Sequence, residues 1–206
     1  MKFPEFKLNI PNILSLIRII LIPIFLYLLS LKTRESWIYA LVVFCAASLT
    51  DFIDGWFARK FNQTSEFGKF IDPLADKFLV ISSVIALLVL DPFLSLTTDF
   101  WMVIIIAGRD VLITIMRTRA IKKGQALRTS KFGKIKTAFQ MGSILIIITI
   151  YIARKSNIFM TLDNIPYIIM LLMTIMTLIS GIRYLYTNWT LFFPEKKTGS
   201  KINGPS

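Results

Sequence analysis

The stretch SLTDFIDGWFARKFNQTSEFGKFIDPLADK, residues 48–77, places two pairs of aspartates on either side of a short polar segment, and each pair adjoins a long apolar run. Asp51 and Asp54 are three residues apart with Ala58 four further on, and Gly68, Asp72 and Asp76 follow at steps of four. Those spacings bring side chains onto one face of a helix. The segment between them, residues 62–66, is short enough to make the two helices antiparallel neighbours, so all four carboxylates can converge. Four like charges repel, and an aspartate at mid-bilayer costs about 2.5 to 3.5 kcal/mol on insertion scales. Something must neutralise them. Two divalent cations would do so, and an all-oxygen ligand set favours Mg2+ or Mn2+. Gly55, Ala58 and Gly68 take bulk away from the same faces, which allows close helix packing or the approach of a ligand to the backbone.

Outward from this stretch the chain is apolar throughout. Of 206 residues 55% are hydrophobic and only 17% charged, and the mean hydropathy is +0.66. This distribution excludes a signal peptide on a soluble body, a disordered chain and, because the apolar runs do not alternate, a membrane β-barrel. A transmembrane helix needs about 20 mostly apolar residues. Six such spans are expected, near residues 9–31, 36–59, 70–91, 98–120, 133–153 and 164–186. The expected fold class is therefore an all-α integral membrane protein of six transmembrane helices. Residues 1–190 are expected to form a single six-helix membrane domain, and residues 191–206 a polar tail expected to be disordered. Pro73 predicts that the third helix either starts or bends there, because proline lacks the amide hydrogen that a helix interior uses.

Lysine and arginine orient the spans, since loops on the cytoplasmic side hold an excess of both. With the N-terminus inside, seventeen of the 24 basic residues fall on one side, among them the cluster Arg117, Arg119, Lys122, Lys123, Arg128, Lys131, Lys134 and Lys136. Lys32, Arg34, Arg154 and Lys155 fall on the other, and Arg18, Arg109 and Arg183 within spans. Both termini are thus expected in the cytoplasm. The net charge of +12 lies along one membrane face rather than on a soluble module, so anionic lipid headgroups are the expected partner and nucleic acid is not.

With no histidine in the chain, imidazole bases, proton relays and zinc ligands are excluded. The single cysteine, Cys45, cannot form an internal disulfide and is expected to serve packing. Chemistry is left to carboxylates and basic side chains.

At the aspartates the sequence resembles the CDP-alcohol phosphotransferase family, whose signature reads Asp-x-x-Asp-Gly-x-x-Ala-Arg, eight or nine residues, then Gly-x-x-x-Asp-x-x-x-Asp. Asp51, Asp54, Gly55, Ala58, Arg59, Gly68, Asp72 and Asp76 match every fixed position, with a gap of eight. The segments 9–18, 70–77, 108–110 and 130–137 resemble the bacterial subgroup that passes a phosphatidyl group from CDP-diacylglycerol to sn-glycerol 3-phosphate and releases CMP. The resemblance implies a homodimer in the cell inner membrane with a polar cavity open to the cytoplasm. It further implies that Asp51, Asp54 and Asp72 ligate metal, that Asp76 lies at the metals and acts as base toward the acceptor hydroxyl, and that Asp51, Gly55, Ala58, Arg59 and Gly68 line the CDP pocket.

A phosphomonoester dianion calls for fixed cations. Arg109, Lys134 and Lys136 are the first candidates to hold the acceptor phosphate, and Arg117, Arg18 and Arg183 the second. Arg109 is as well explained by a structural pair with Asp110 or another aspartate, and Arg59 could snorkel to the interface. Two other readings compete: a related transferase with another acceptor, such as inositol phosphate, and a divalent-cation channel or carrier. The second lacks a polar ladder through the outer halves of the spans. An inactive family member kept as a scaffold is the least attractive, because the signature is complete.

Overall fold

The computed structural model describes residues 10–60, 66–90, 98–122, 131–155 and 164–188; for residues 10–11, 51–52, 54–60, 66–73, 76, 121–122, 131–132, 134 and 155 it describes the backbone alone. Among the described residues, six helices occur in the positions the apolar runs predict: α1 (Ile10–Ser30), α2 (Arg34–Lys60), α3 (Glu66–Val89), α4 (Phe100–Lys122), α5 (Lys131–Lys155) and α6 (Ile165–Thr187). Among the described residues, the segments Asn12–Ser30 of α1, Ile135–Arg154 of α5 and all of α6 are each long and apolar enough to cross a membrane. Helix α3 runs unbroken through Pro73, so the helix does not start there.

A tight turn joins α1 to α2. Lys32 takes a left-handed backbone conformation with φ 55°. The Thr33 N–H donates to Ser36 Oγ at 3.2 Å, and the Ser36 N–H donates to Thr33 Oγ1 at 3.1 Å. This reciprocal pair occupies amide groups that a helix start leaves without intrahelical partners. The result is an antiparallel hairpin. Helix α1 has 21 residues, and Asp54 is residue 21 of α2, so Ile10 and Asp54 both stand about 30 Å from the turn. That distance is about the thickness of a bilayer's hydrocarbon core.

Helix α1 packs on α2 and α3, α5 packs on α2, α3 and α6, and α4 packs on α3 and α6. The shared core is aliphatic and aromatic, with Phe25, Phe44, Leu79, Leu87, Met102, Ile106, Ile144 and Met170 fully buried. Ala40 and Ala47, also buried, let the hairpin close, and Phe25 meets Phe44 across it with ring centroids 5.4 Å apart. Trp37 lies against Tyr151 with centroids 3.7 Å apart, tying α2 to α5. Asp99 anchors the starts of α4 and α6 together: its Oδ2 accepts from Trp101 Nε1 at 3.0 Å and from the Tyr167 hydroxyl at 3.3 Å. Those two helices therefore run parallel.

The distribution of polarity is the reverse of a soluble protein's. Val42, Val89, Ile104, Ile146 and Ile182 are exposed, whereas Arg18, Ser83, Asp110, Lys136, Gln140 and Thr177 are buried. An outer face this apolar is what a lipid environment selects. Cys45 corrects an expectation. It is exposed while its neighbours Phe44 and Ala47 are buried, because residue 45 falls on the outer side of α2.

Candidate active site

The helix boundaries set the aspartates at matched depths. Asp54 lies six residues before Lys60, the end of α2, and Asp72 lies six residues after Glu66, the start of α3. Each is therefore about 9 Å from its helix end. Asp51 and Asp76 are deeper, each about 14 Å from the same ends by the same rise per residue. The two ends are joined by residues 61–65, a connection that spans no more than about 20 Å. The side chains of Asp51, Asp54, Asp72, Asp76, Ala58 and Arg59, and the surroundings of Gly55 and Gly68, lie outside the described residues.

A second polar group is built by α4, α5 and α6. Asp110 is its centre: Lys136 Nζ donates to both carboxylate oxygens, with 2.7 Å to Oδ2, and Arg109 donates through one terminal nitrogen to Oδ1 at 2.9 Å. The other terminal nitrogen of Arg109 donates to Ser180 Oγ on α6 at 2.7 Å. Lys136 and Asp110 side chains are only 3% and 5% exposed, so these are charge-assisted contacts shielded from solvent. Arg109 Nε is buried without a hydrogen-bond partner. One turn along from Lys136, Gln140 donates to the Thr177 hydroxyl at 3.1 Å.

Of the basic residues expected near the acceptor, Arg109 and Lys136 are thus brought together around Asp110. Arg117 and Arg183 are exposed on α4 and α6, and Arg18 is fully buried on α1, the helix that packs on α2 and α3. The Lys134 side chain lies outside the described residues. Sequence reasoning missed Ser180, Gln140 and Thr177. The available signal was spacing: Lys136, Gln140 and Ser143 on α5, and Thr174, Thr177 and Ser180 on α6, recur every three or four residues and are all buried, which marks the facing stripes of two packed helices.

A cavity of about 290 Å³ lies on the outer side of this group, between α4 and α6. Ile104, Leu112, Leu178 and Ile182 wall it. It is apolar and lipid-facing, and is no chamber for phosphate chemistry.

Comparison with known proteins gives this layout a context. A sequence profile of the CDP-alcohol phosphatidyltransferase family matches residues 8–179, from just before α1 to the second half of α6. A relative from Bacillus subtilis (strain 168) is 33% identical over 195 residues, covering 88% of this chain and 95% of the relative. One from Wigglesworthia glossinidia brevipalpis is 38% identical over 143 residues, covering 67% and 75%. One from Escherichia coli (strain K12) is 36% identical over 140 residues, covering 66% and 74%. All three are named CDP-diacylglycerol–glycerol-3-phosphate 3-phosphatidyltransferase. The profile match takes in the hairpin, both aspartate-bearing helix ends and the Arg109–Asp110–Lys136 group, and the chain belongs to the CDP-alcohol phosphatidyltransferase family.

Proposed function

We propose that this protein transfers the phosphatidyl group of CDP-diacylglycerol to sn-glycerol 3-phosphate, giving phosphatidylglycerol phosphate and CMP. The observation that carries the reading is the complete set of eight signature residues from Asp51 to Asp76, set at matched depths on the adjoining ends of α2 and α3. Relatives at 33–38% identity bearing the name of this reaction support the choice of acceptor.

In this reading Asp76 takes the proton of an acceptor hydroxyl, the freed oxygen bonds to the β-phosphorus, and the pyrophosphate bond breaks with its electrons leaving on CMP. A carboxylate is the fitting base in a chain that has no histidine. Asp51, Asp54, Asp72 and Asp76 would hold two divalent ions, Mg2+ or Mn2+, for which an all-carboxylate donor set is suited. When bound, those ions supply positive charge that stabilises the charge developing on the pyrophosphate. Gly55, Ala58, Arg59 and Gly68 line the cytidine nucleotide's side of the site. The acceptor's phosphate is drawn to the basic set of α4 to α6, with Lys136 and Arg109 at its buried end and Lys134, Arg117 and Arg183 around it, while Arg18 faces the site from α1.

All six helices cross the inner membrane in this proposal, with both termini and the active site on the cytoplasmic side, and two copies form a homodimer. The excess of basic residues on one side supports that orientation, as does the distance of about 30 Å from the Lys32 turn to Asp54. The test is CMP release from CDP-diacylglycerol in mixed micelles, with and without Mg2+ or Mn2+, offering glycerol 3-phosphate, inositol phosphate and free alcohols separately. Metal-dependent release with glycerol 3-phosphate alone is expected. Release with another acceptor overturns the choice of substrate and keeps the reaction type, whereas release with none overturns the enzyme and turns attention to ion flux.

A further inference from the structure

Two cations from two helices share one buried carboxylate at the interface of α4 and α5. Lys136 reaches both oxygens of Asp110 and Arg109 reaches one of them, so the trio carries more positive than negative charge. A buried ionic group is a poor way to gain stability, since packed apolar residues of similar volume often do as well or better. A neutral tie, Gln140 to Thr177, already joins α5 to its neighbour α6. The trio's retention is better explained by what its charges face.

Helix α6 is shaped to receive Arg109. Ser180 accepts from one of its terminal nitrogens at 2.7 Å, and a methyl group at Gly181 would stand 3.1 Å from Arg109 Cγ, closer than ordinary carbon contact. At Gly108, by contrast, a methyl group would meet nothing within 4 Å. The gap at 181 is thus filled by the arginine, and the one at 108 is open space.

We propose that Asp110 is a positioning residue for the acceptor's phosphate: it fixes the Lys136 ammonium and, together with Ser180 and the gap at Gly181, the Arg109 guanidinium, so that the anion meets cations already in place. Preorganised cations spare the site the cost of ordering long side chains when the anion arrives. The proposal rests on the reading of this chain as a transferase with a phosphorylated acceptor.

The test compares the purified full-length protein with Asp110→Asn, Ser180→Ala, Gly181→Ala and Gly108→Ala, measuring kcat and the KM of each substrate separately. Asp110→Asn should raise KM for glycerol 3-phosphate about tenfold and leave KM for CDP-diacylglycerol within about twofold. Inorganic phosphate, used as a competitive inhibitor, should weaken in parallel. Ser180→Ala and Gly181→Ala should shift the same KM by about threefold, and Gly108→Ala should change nothing. An unchanged KM for glycerol 3-phosphate in Asp110→Asn, equal losses toward both substrates, or matching behaviour of the two glycine variants overturns the proposal. If Asp110→Asn does not survive purification, Ser180→Ala decides, because it removes one hydrogen bond and no charge. Failure of the functional reading shows separately, in the unsubstituted protein: turnover with a different phosphorylated acceptor moves the KM comparison to that acceptor, and turnover with none overturns both.

Discussion

The acidic ends of α2 and α3 and the basic group of α4 to α6 both bring charged residues onto the helices of an apolar bundle, yet they are assembled by opposite means. The aspartates lie within 26 residues of sequence, on two helices joined by a five-residue connection. The basic group joins residues 26 and 71 positions apart and exists only because three helices pack. Charges of the first kind are held by local chain geometry, and charges of the second by the whole fold. The first set should therefore fail chemically when altered while the protein stays folded, and the second should fail in binding and stability together.

The largest expected effect breaks the acidic side alone. Asp76→Asn should lower kcat by about a thousandfold, the order that loss of a general base costs, with CDP-diacylglycerol still bound and thermal stability in detergent nearly unchanged. Chelation of divalent ions should abolish CMP release in the unsubstituted protein, and added Mg2+ or Mn2+ should restore it. Retained turnover in either experiment would remove the role assigned to these residues. On the basic side, Lys136→Met leaves Asp110 buried with one of its two cations, and should cost about 3 kcal/mol of stability. The double variant Asp110→Asn with Lys136→Met should recover part of that loss, because no buried carboxylate is then left short of a cation; thermal melting of the unsubstituted protein, both single variants and the double variant measures the coupling. Gln140→Leu sharpens the contrast further. It removes a neutral tie worth about 0.6 kcal/mol in a membrane bundle and should leave both KM values alone. The smallest effect is expected at Cys45→Ser, on the outer face of α2, with a stability change within about 0.5 kcal/mol.

The same contrast explains what could be read in advance. Six apolar runs of helical length predict six helices within a few residues of those observed, because the bilayer's thickness dictates span length. The aspartates stand out because carboxylates inside apolar runs are costly and their spacing is local. Pro73 was ambiguous, since proline both starts and bends helices, and only the fold shows helix running through it. The pairing of Asp110 with Lys136 carries no local signature: neither residue's neighbours in sequence name the other. Ser180 is a small residue in an apolar run until Arg109 is laid across it. The apolar neighbours of Cys45 point to packing, but lipid-facing and core-facing positions are equally apolar in a membrane helix.

The turn at Lys32 and Thr33 bears on how the protein is made. In the proposed six-span arrangement, the three residues between α1 and α2 leave no loop long enough for one helix to settle in the bilayer ahead of the other, so the pair is expected to enter as a unit during synthesis. Whichever compartment receives Ile10 then receives Asp54 as well. The decision made when the first hairpin leaves the ribosome also settles which cellular pool of water-soluble acceptor the finished enzyme can draw on.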